Sequence, residues 1–262
     1  MKTKLIITAL MFTAICLIAG CGGPKLNPYA TADEQFASAK KEYDKEHYLK
    51  AVEGFQRVIF NYPGATVVDT AQFYLGMSYL NNKEYELAAV EFQRLMTNYP
   101  MSDYADHAQY LAGVCFYKNT PKNYALDQED LKKAILVLED FILENPDSPL
   151  AQDARDDIRE GYTKLARKEY ENGILYFKMY DFKAAEIYFQ YVIDNYTDTD
   201  YAPLALFKLA ESEFKLSEYS SALEKFSQFK TIYPEHELIP EADEYIGKVS
   251  LQMETVDVSD ES

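Results

Sequence analysis

The chain has 262 residues, with 43 acidic against 26 basic side chains and a formal charge of −17. That balance excludes a nucleic-acid binder, because phosphate recognition rests on neutralisation by Lys and Arg. With only 10 Gly and 10 Pro, and with 48% hydrophobic residues, it is not a low-complexity or disordered polypeptide either.

At the N-terminus, Lys2 and Lys4 precede an apolar run over 5–19. Its 15 residues are short of the roughly 20 needed to cross a bilayer as a helix. The run ends Ile18-Ala19-Gly20-Cys21, where the small residues of an export cleavage site are followed directly by cysteine. This matches a lipobox. Residues 1–20 are therefore expected to be a lipoprotein signal peptide, Cys21 the lipid attachment site, and 21–31 a lipidated tether. Loss of Lys2 and Lys4 leaves 24 basic against 43 acidic side chains, a charge of −19. Such a chain gains nothing electrostatically from anionic head groups, so membrane attachment falls to acyl chains such as palmitate, at about 0.8 kcal/mol per buried CH₂. Cys16 leaves with the signal, and Cys115 in the apolar stretch 110–117 is expected to be a small core residue.

From residue 32 onward the sequence keeps a fixed ruler. Ala51, Ala88, Ala134, Ala185 and Ala222 are each followed four residues later by Phe55, Phe92, Leu138, Phe189 or Phe226. Twelve residues after each alanine stands Pro63, Pro100, Pro146, Thr197 or Pro234. Upstream lies a second set of small residues, Ala39, Gly76, Gly113, Gly173 and Ala210. Each has an aromatic three before it (Phe36, Phe73, Tyr110, Tyr170, Phe207) and a large apolar residue four after it (Tyr43, Leu80, Tyr117, Phe177, Phe214). Spacing of i, i+3, i+7 puts all three on one helical face. The small residue admits a partner helix, and the proline closes the pair.

This pattern resembles the tetratricopeptide repeat. It predicts an all-α solenoid of five helix pairs, each hiding its apolar face only against a neighbour. Two repeats are stretched. The third has nine extra residues around 118–130, including Pro121. The fourth is preceded by about 14 charged, proline-free residues, 153–168, which predict a lengthened helix. The expected organisation is repeats 1–3 over 32–152, a long linking helix with repeats 4–5 over 153–253, and an acidic disordered tail over 254–262.

Motifs for chemistry are scarce. His47, His107 and His236 lie far apart, and no H-E-x-x-H, G-x-S-x-G, phosphate loop or dinucleotide fingerprint occurs. No metal site, cofactor or catalytic residue is expected, and the chain is read as a non-enzyme. The 38 Tyr and Phe suit a sugar platform in principle, but repeat packing accounts for them. Lys118, Lys178 and Lys215 each lie five residues after the small position of their repeat. There they can line a groove that meets a carboxylate or a peptide C-terminus. The same placement suits the helix dipole, worth roughly 0.3–1 kcal/mol.

Lipobox, repeat number, the third-repeat loop ending Asp127-Gln128 and the segment Leu165-Ala166-Arg167-Lys168-Glu169-Tyr170 together resemble the BamD family. Those are the lipoproteins of the outer-membrane β-barrel assembly machine (the Bam complex). The resemblance implies a scaffold anchored in the outer membrane and facing the periplasm. Its implied partners are a BamA-like barrel assembly protein, docked by the C-terminal half, other assembly lipoproteins, and unfolded outer-membrane proteins received by the N-terminal repeats. Where the family often carries arginines at the fourth repeat, this chain has Lys178, Met179 and Tyr188. The alternative is a periplasmic repeat scaffold for envelope constriction, secretion or pilus assembly.

Overall fold

The computed structural model describes residues 30–260, and Cys21 lies outside them. Eleven helices and no strand occur among the described residues. Five pairs follow the ruler: α1 (Ala32–Asp44) with α2 (Tyr48–Asn61), α3 (Val68–Asn81) with α4 (Tyr85–Asn98), and α5 (Ala105–Asn119) with α6 (Glu129–Glu144). Next come α7 (Ala151–Lys178) with α8 (Phe182–Asn195), and α9 (Tyr201–Lys215) with α10 (Tyr219–Ile232). The last helix, α11 (Ile239–Asp260), has no second member.

The recurring residues fill the core. All five ruler alanines and the bulky residues four positions on are 0% exposed, and burying each of the latter contributes on the order of 2–3 kcal/mol. Close approach explains the glycines. A Cβ on Gly76 would lie 2.7 Å from Phe92, one on Gly113 2.7 Å from Leu138, and one on Gly173 2.6 Å from Phe189.

The turns repeat as well. Between the helices of repeats 1, 2, 4 and 5 one residue is left-handed: Glu46, Lys83, Tyr180 and Ser217, with φ of 61° to 66°. Each lets the following amide reach back to the last turn, as in His47 N–H to the Glu42 carbonyl at 2.9 Å and Asp181 N–H to the Tyr176 carbonyl at 3.1 Å. This is the Schellman closure. At the end of each pair the capping residue, Tyr62, Tyr99, Asn145, Tyr196 or Tyr233, leaves the helical region, with φ between −122° and −134° and ψ between 44° and 59°. A following proline disfavours the helical conformation at that residue. Where Thr197 replaces proline, the Thr199 hydroxyl donates to the Tyr196 carbonyl at 2.8 Å and holds the same turn.

The insert before the fourth repeat is continuous with that repeat's first helix, making α7 28 residues long. Its N-terminal half packs on α6 through Leu131, Ile135 and Leu165 with Ile158 and Tyr162. Its C-terminal half packs on α8 through Ala166, Ala185 and Phe189. Tyr196 packs against both clusters and so links the third repeat's core to the fourth's.

Two expectations need correction at the C-terminus. The tail from 254 is helical as far as Asp260 rather than disordered, because no Gly or Pro after Gly247 stops the helix. The segment before it is not merely the end of repeat 5. It is an additional helix whose Ala242 and Val249, both 0% exposed, cover the fifth repeat's Phe226 and Phe229.

Candidate partner-binding pocket

The third-repeat insertion folds back on α7. Gln128 is 3% exposed, and its Nε2 donates to the carbonyls of Asn123 and Leu126, both at 3.2 Å. Lys168 Nζ reaches the same Leu126 carbonyl at 3.0 Å. The loop, the last turn of α5 and one face of α7 thereby enclose a cavity of about 440 Å³, lined by four cations, Lys118, Lys122, Lys164 and Arg167, and by Tyr85, Tyr117 and Tyr124.

The cations differ in what they already hold. Lys164 Nζ donates to the Tyr117 hydroxyl, pairs with Glu160 at 3.1 Å and lies 4.1 Å from the Tyr117 ring centroid. Burial first, and Glu160 second, push the Tyr117 phenol above its usual range, so it remains neutral. Hydrogen bonding by Tyr117 and then Lys164 holds Glu160 below the usual carboxylate range. The Arg167 guanidinium sits 4.6 Å from the Tyr124 ring centroid, a cation–π distance. Among the described residues no carboxylate forms an ion pair with Lys118, Lys122 or Arg167. Most lysines and arginines that form ion pairs do so with a carboxylate three or four residues away on their own helix, as Arg94 does with Glu91 and Lys248 with Glu244. Three cations without an ion-pair partner thus converge on one aromatic-walled hollow. The arrangement suits a carboxylate attached to an apolar or aromatic group.

Of the three lysines singled out by spacing, only Lys118 lines this cavity. Lys178 ends α7 and Lys215 ends α9, both exposed on other turns. Equal register places them at equivalent helix ends in successive repeats, not in one pocket. Sequence reasoning missed Lys122, Lys164 and Arg167. The signals were present: Lys122 and Tyr124 lie inside the one lengthened loop, and Lys164 and Arg167 are three apart on the lengthened helix, hence on one face.

Cys115 is buried, and burial pushes its thiol up to about 12. No described helix is long and apolar enough to cross a membrane.

A family model described as outer membrane lipoprotein, YfiO, matches residues 28–218, and a tetratricopeptide-repeat model matches 204–236. No curated protein sequence matches the chain. Among solved structures, the TPR2AB domain of yeast Sti1 in its pHSP90 complex is 16% identical, with 84% of this chain and 98% of that one covered at a TM-score of 0.39. A thermophilic repeat protein of Thermus thermophilus is 16% identical, with 84% and 100% covered at 0.36. YrrB, described as having an unusual peptide-binding site, is 15% identical, with 82% and 92% covered at 0.34.

Proposed function

The chain belongs to the YfiO family of outer membrane lipoproteins, and from that premise we propose that it is a non-catalytic adaptor in the assembly and insertion of outer-membrane β-barrel proteins. The observation that carries this reading is the extent of the family match, residues 28–218, which takes in the first four repeats, the third-repeat loop and the long helix together. In this reading the mature protein is held at the outer membrane by lipid on Cys21 and faces the periplasm. Its C-terminal half docks a BamA-like assembly protein beside other assembly lipoproteins. The N-terminal repeats receive unfolded barrel proteins.

The cationic hollow gives the substrate role a chemistry. An unfolded chain offers carboxylates beside aromatic side chains, and Lys118, Lys122 and Arg167 with Tyr124 provide matching partners. Lys178 and Lys215, exposed at their helix ends in the C-terminal half, are rim contacts for the docked assembly protein. Such charges change association rate and salt dependence more than folding.

Depletion in the native organism tests the proposal. Loss of folded porins from the outer membrane, with loss of the assembly complex on pull-down, is the expected result. Normal porin assembly rejects the adaptor reading, and a constriction defect in its place favours the envelope-constriction scaffold. Lipidation is tested separately. Cys21→Ser should leave the signal peptide uncleaved and the chain without acyl groups by intact mass, and an unlipidated mature wild-type chain would contradict it.

A further inference from the structure

Among the described residues three buried glutamates occur in the helices, and they are not alike. Glu91, 6% exposed, accepts from Gln72 Nε2 at 2.6 Å and pairs with Arg94 at 2.7 Å. Glu211, 8% exposed, pairs with Lys208 at 2.6 Å and accepts from the Tyr245 hydroxyl at 2.9 Å. Glu213, 7% exposed, leaves its Oε2 buried with no hydrogen-bond partner. Glu186, across from it on α8, leaves Oε1 in the same state. Both line a groove of about 470 Å³ between α8 and α9, walled by Ile187, Tyr191 and Leu209. An unpaired buried carboxylate oxygen is costly, and native proteins seldom keep one without a use.

The groups around the pair do not complete it. Lys183 reaches Glu186 through its other oxygen, at 3.2 Å, while held more closely by Glu218 at 2.6 Å. Burial above all opposes the Glu213 carboxylate and, with Glu186 and Glu218, prevails over the Ser221 hydrogen bond and Lys225 that favour it. A third carboxylate on the groove, Asp194, already accepts from Gln190 Nε2 at 2.7 Å. Among the described residues no group of three or more acidic, His or Cys side chains is arranged to hold a metal ion, so the two carboxylates with unpaired oxygens beside an aromatic and two aliphatic walls suit an organic cation. The walls are open to a partner, with Ile187 70% and Tyr191 47% exposed.

We infer that this groove receives an arginine side chain of a partner protein, its guanidinium bridging Glu186 and Glu213 and its flat face lying on Tyr191. A planar fork with five donors can serve two carboxylates at once and stack on a ring, which an ammonium cannot. Glu213 meets it by a change of rotamer, an ordinary adjustment at interfaces. The inference rests on the reading that the C-terminal half docks a partner protein. It adds the polarity of the contact at this groove: acid on this chain, base on the other.

The test uses the full chain purified in detergent with Ile and Leu methyl groups labelled. It is titrated with a capped pentapeptide carrying one arginine between tyrosines, and with the same peptide carrying citrulline. Saturable shifts of the Ile187 and Leu209 signals with arginine only are expected. Glu213→Gln and Glu186→Gln should each weaken binding at least roughly tenfold. Glu213→Gln should at the same time raise the melting temperature of the free protein by about 2–4 °C, since it removes an unpaired buried charge. If Glu213→Gln does not fold, the less buried Glu186→Gln carries the comparison. Equal response to citrulline, no response to arginine, unweakened binding by the folded variants, or displacement of the peptide by calcium or magnesium chloride at about 1 mM overturns the inference. The titration reads binding and depletion reads barrel assembly, so either result can fail alone.

Discussion

Gly173 and Gly247 occupy the same register, each beside the apolar face of a first helix, yet replacement by alanine should move stability in opposite directions. At Gly173 the new Cβ would lie 2.6 Å from Phe189 Cε1 and 2.8 Å from Cδ1, where ordinary contact begins at 3.4 Å, so the helices must give by about 0.8 Å. Phe189 is 0% exposed and its ring already packs on Tyr170 at 5.7 Å between centroids, so it has nowhere to turn. Overpacking of this kind costs about 1–3 kcal/mol, against about 1 kcal/mol gained from the helix propensity of alanine over glycine. Gly173→Ala should therefore be destabilising by about 0–2 kcal/mol. At Gly247 nothing lies within 4 Å of the added atom, and only the propensity gain of about 0.5–1 kcal/mol remains. Urea titration followed by circular dichroism, with hydrogen exchange across α11 to catch local fraying, measures both. The separation between the variants is the packing contribution alone. If Gly173→Ala stabilises as much as Gly247→Ala, the close-approach account of the repeat is refuted.

Ala88→Leu should destabilise by about 1–3 kcal/mol in the same titration, because Ala88 is 0% exposed within the second repeat's core; an unchanged midpoint would contradict the register. Tyr180→Gly should stabilise by about 0.5–1 kcal/mol, since Tyr180 is 82% exposed and held at φ 62°, and a lower urea midpoint would show that its ring contributes more than the backbone loses. Cys115 should resist thiol reagents at pH 8: its thiol, pushed up to about 12 by burial, holds almost no thiolate there, whereas a free cysteine titrates near 8.5. Labelling should appear only on unfolding, and rapid modification of the native protein counts against that burial.

How much was legible follows from what a sequence pattern encodes. The five pairs, their turns and the buried Ala and Phe positions were readable because each depends on a residue and its neighbours a few positions or one repeat away. The last helix, α11, also carries a signal in the sequence: Gly247 follows Ala210, and Ala242 follows Ala205, at the 37-residue spacing that separates Ala51 from Ala88. It lacked the aromatic three before the small residue, where Glu244 stands instead. The spacing of Lys118, Lys178 and Lys215 gave equivalent helix ends, but register says nothing about which ends face one cavity. Lys122 and Lys164 meet across 42 positions only because the Gln128 side chain closes the loop on its own carbonyls. Likewise nothing in the spacing of Glu91, Glu211 and Glu213 tells them apart, and only the packing of α8 on α9 leaves one oxygen of Glu213 without a donor. Periodicity determined which face of each helix is apolar, because that is a property of a single helix. Where polar groups converge depends on loop closure and on the offset between helices, and that was decided by the tertiary structure.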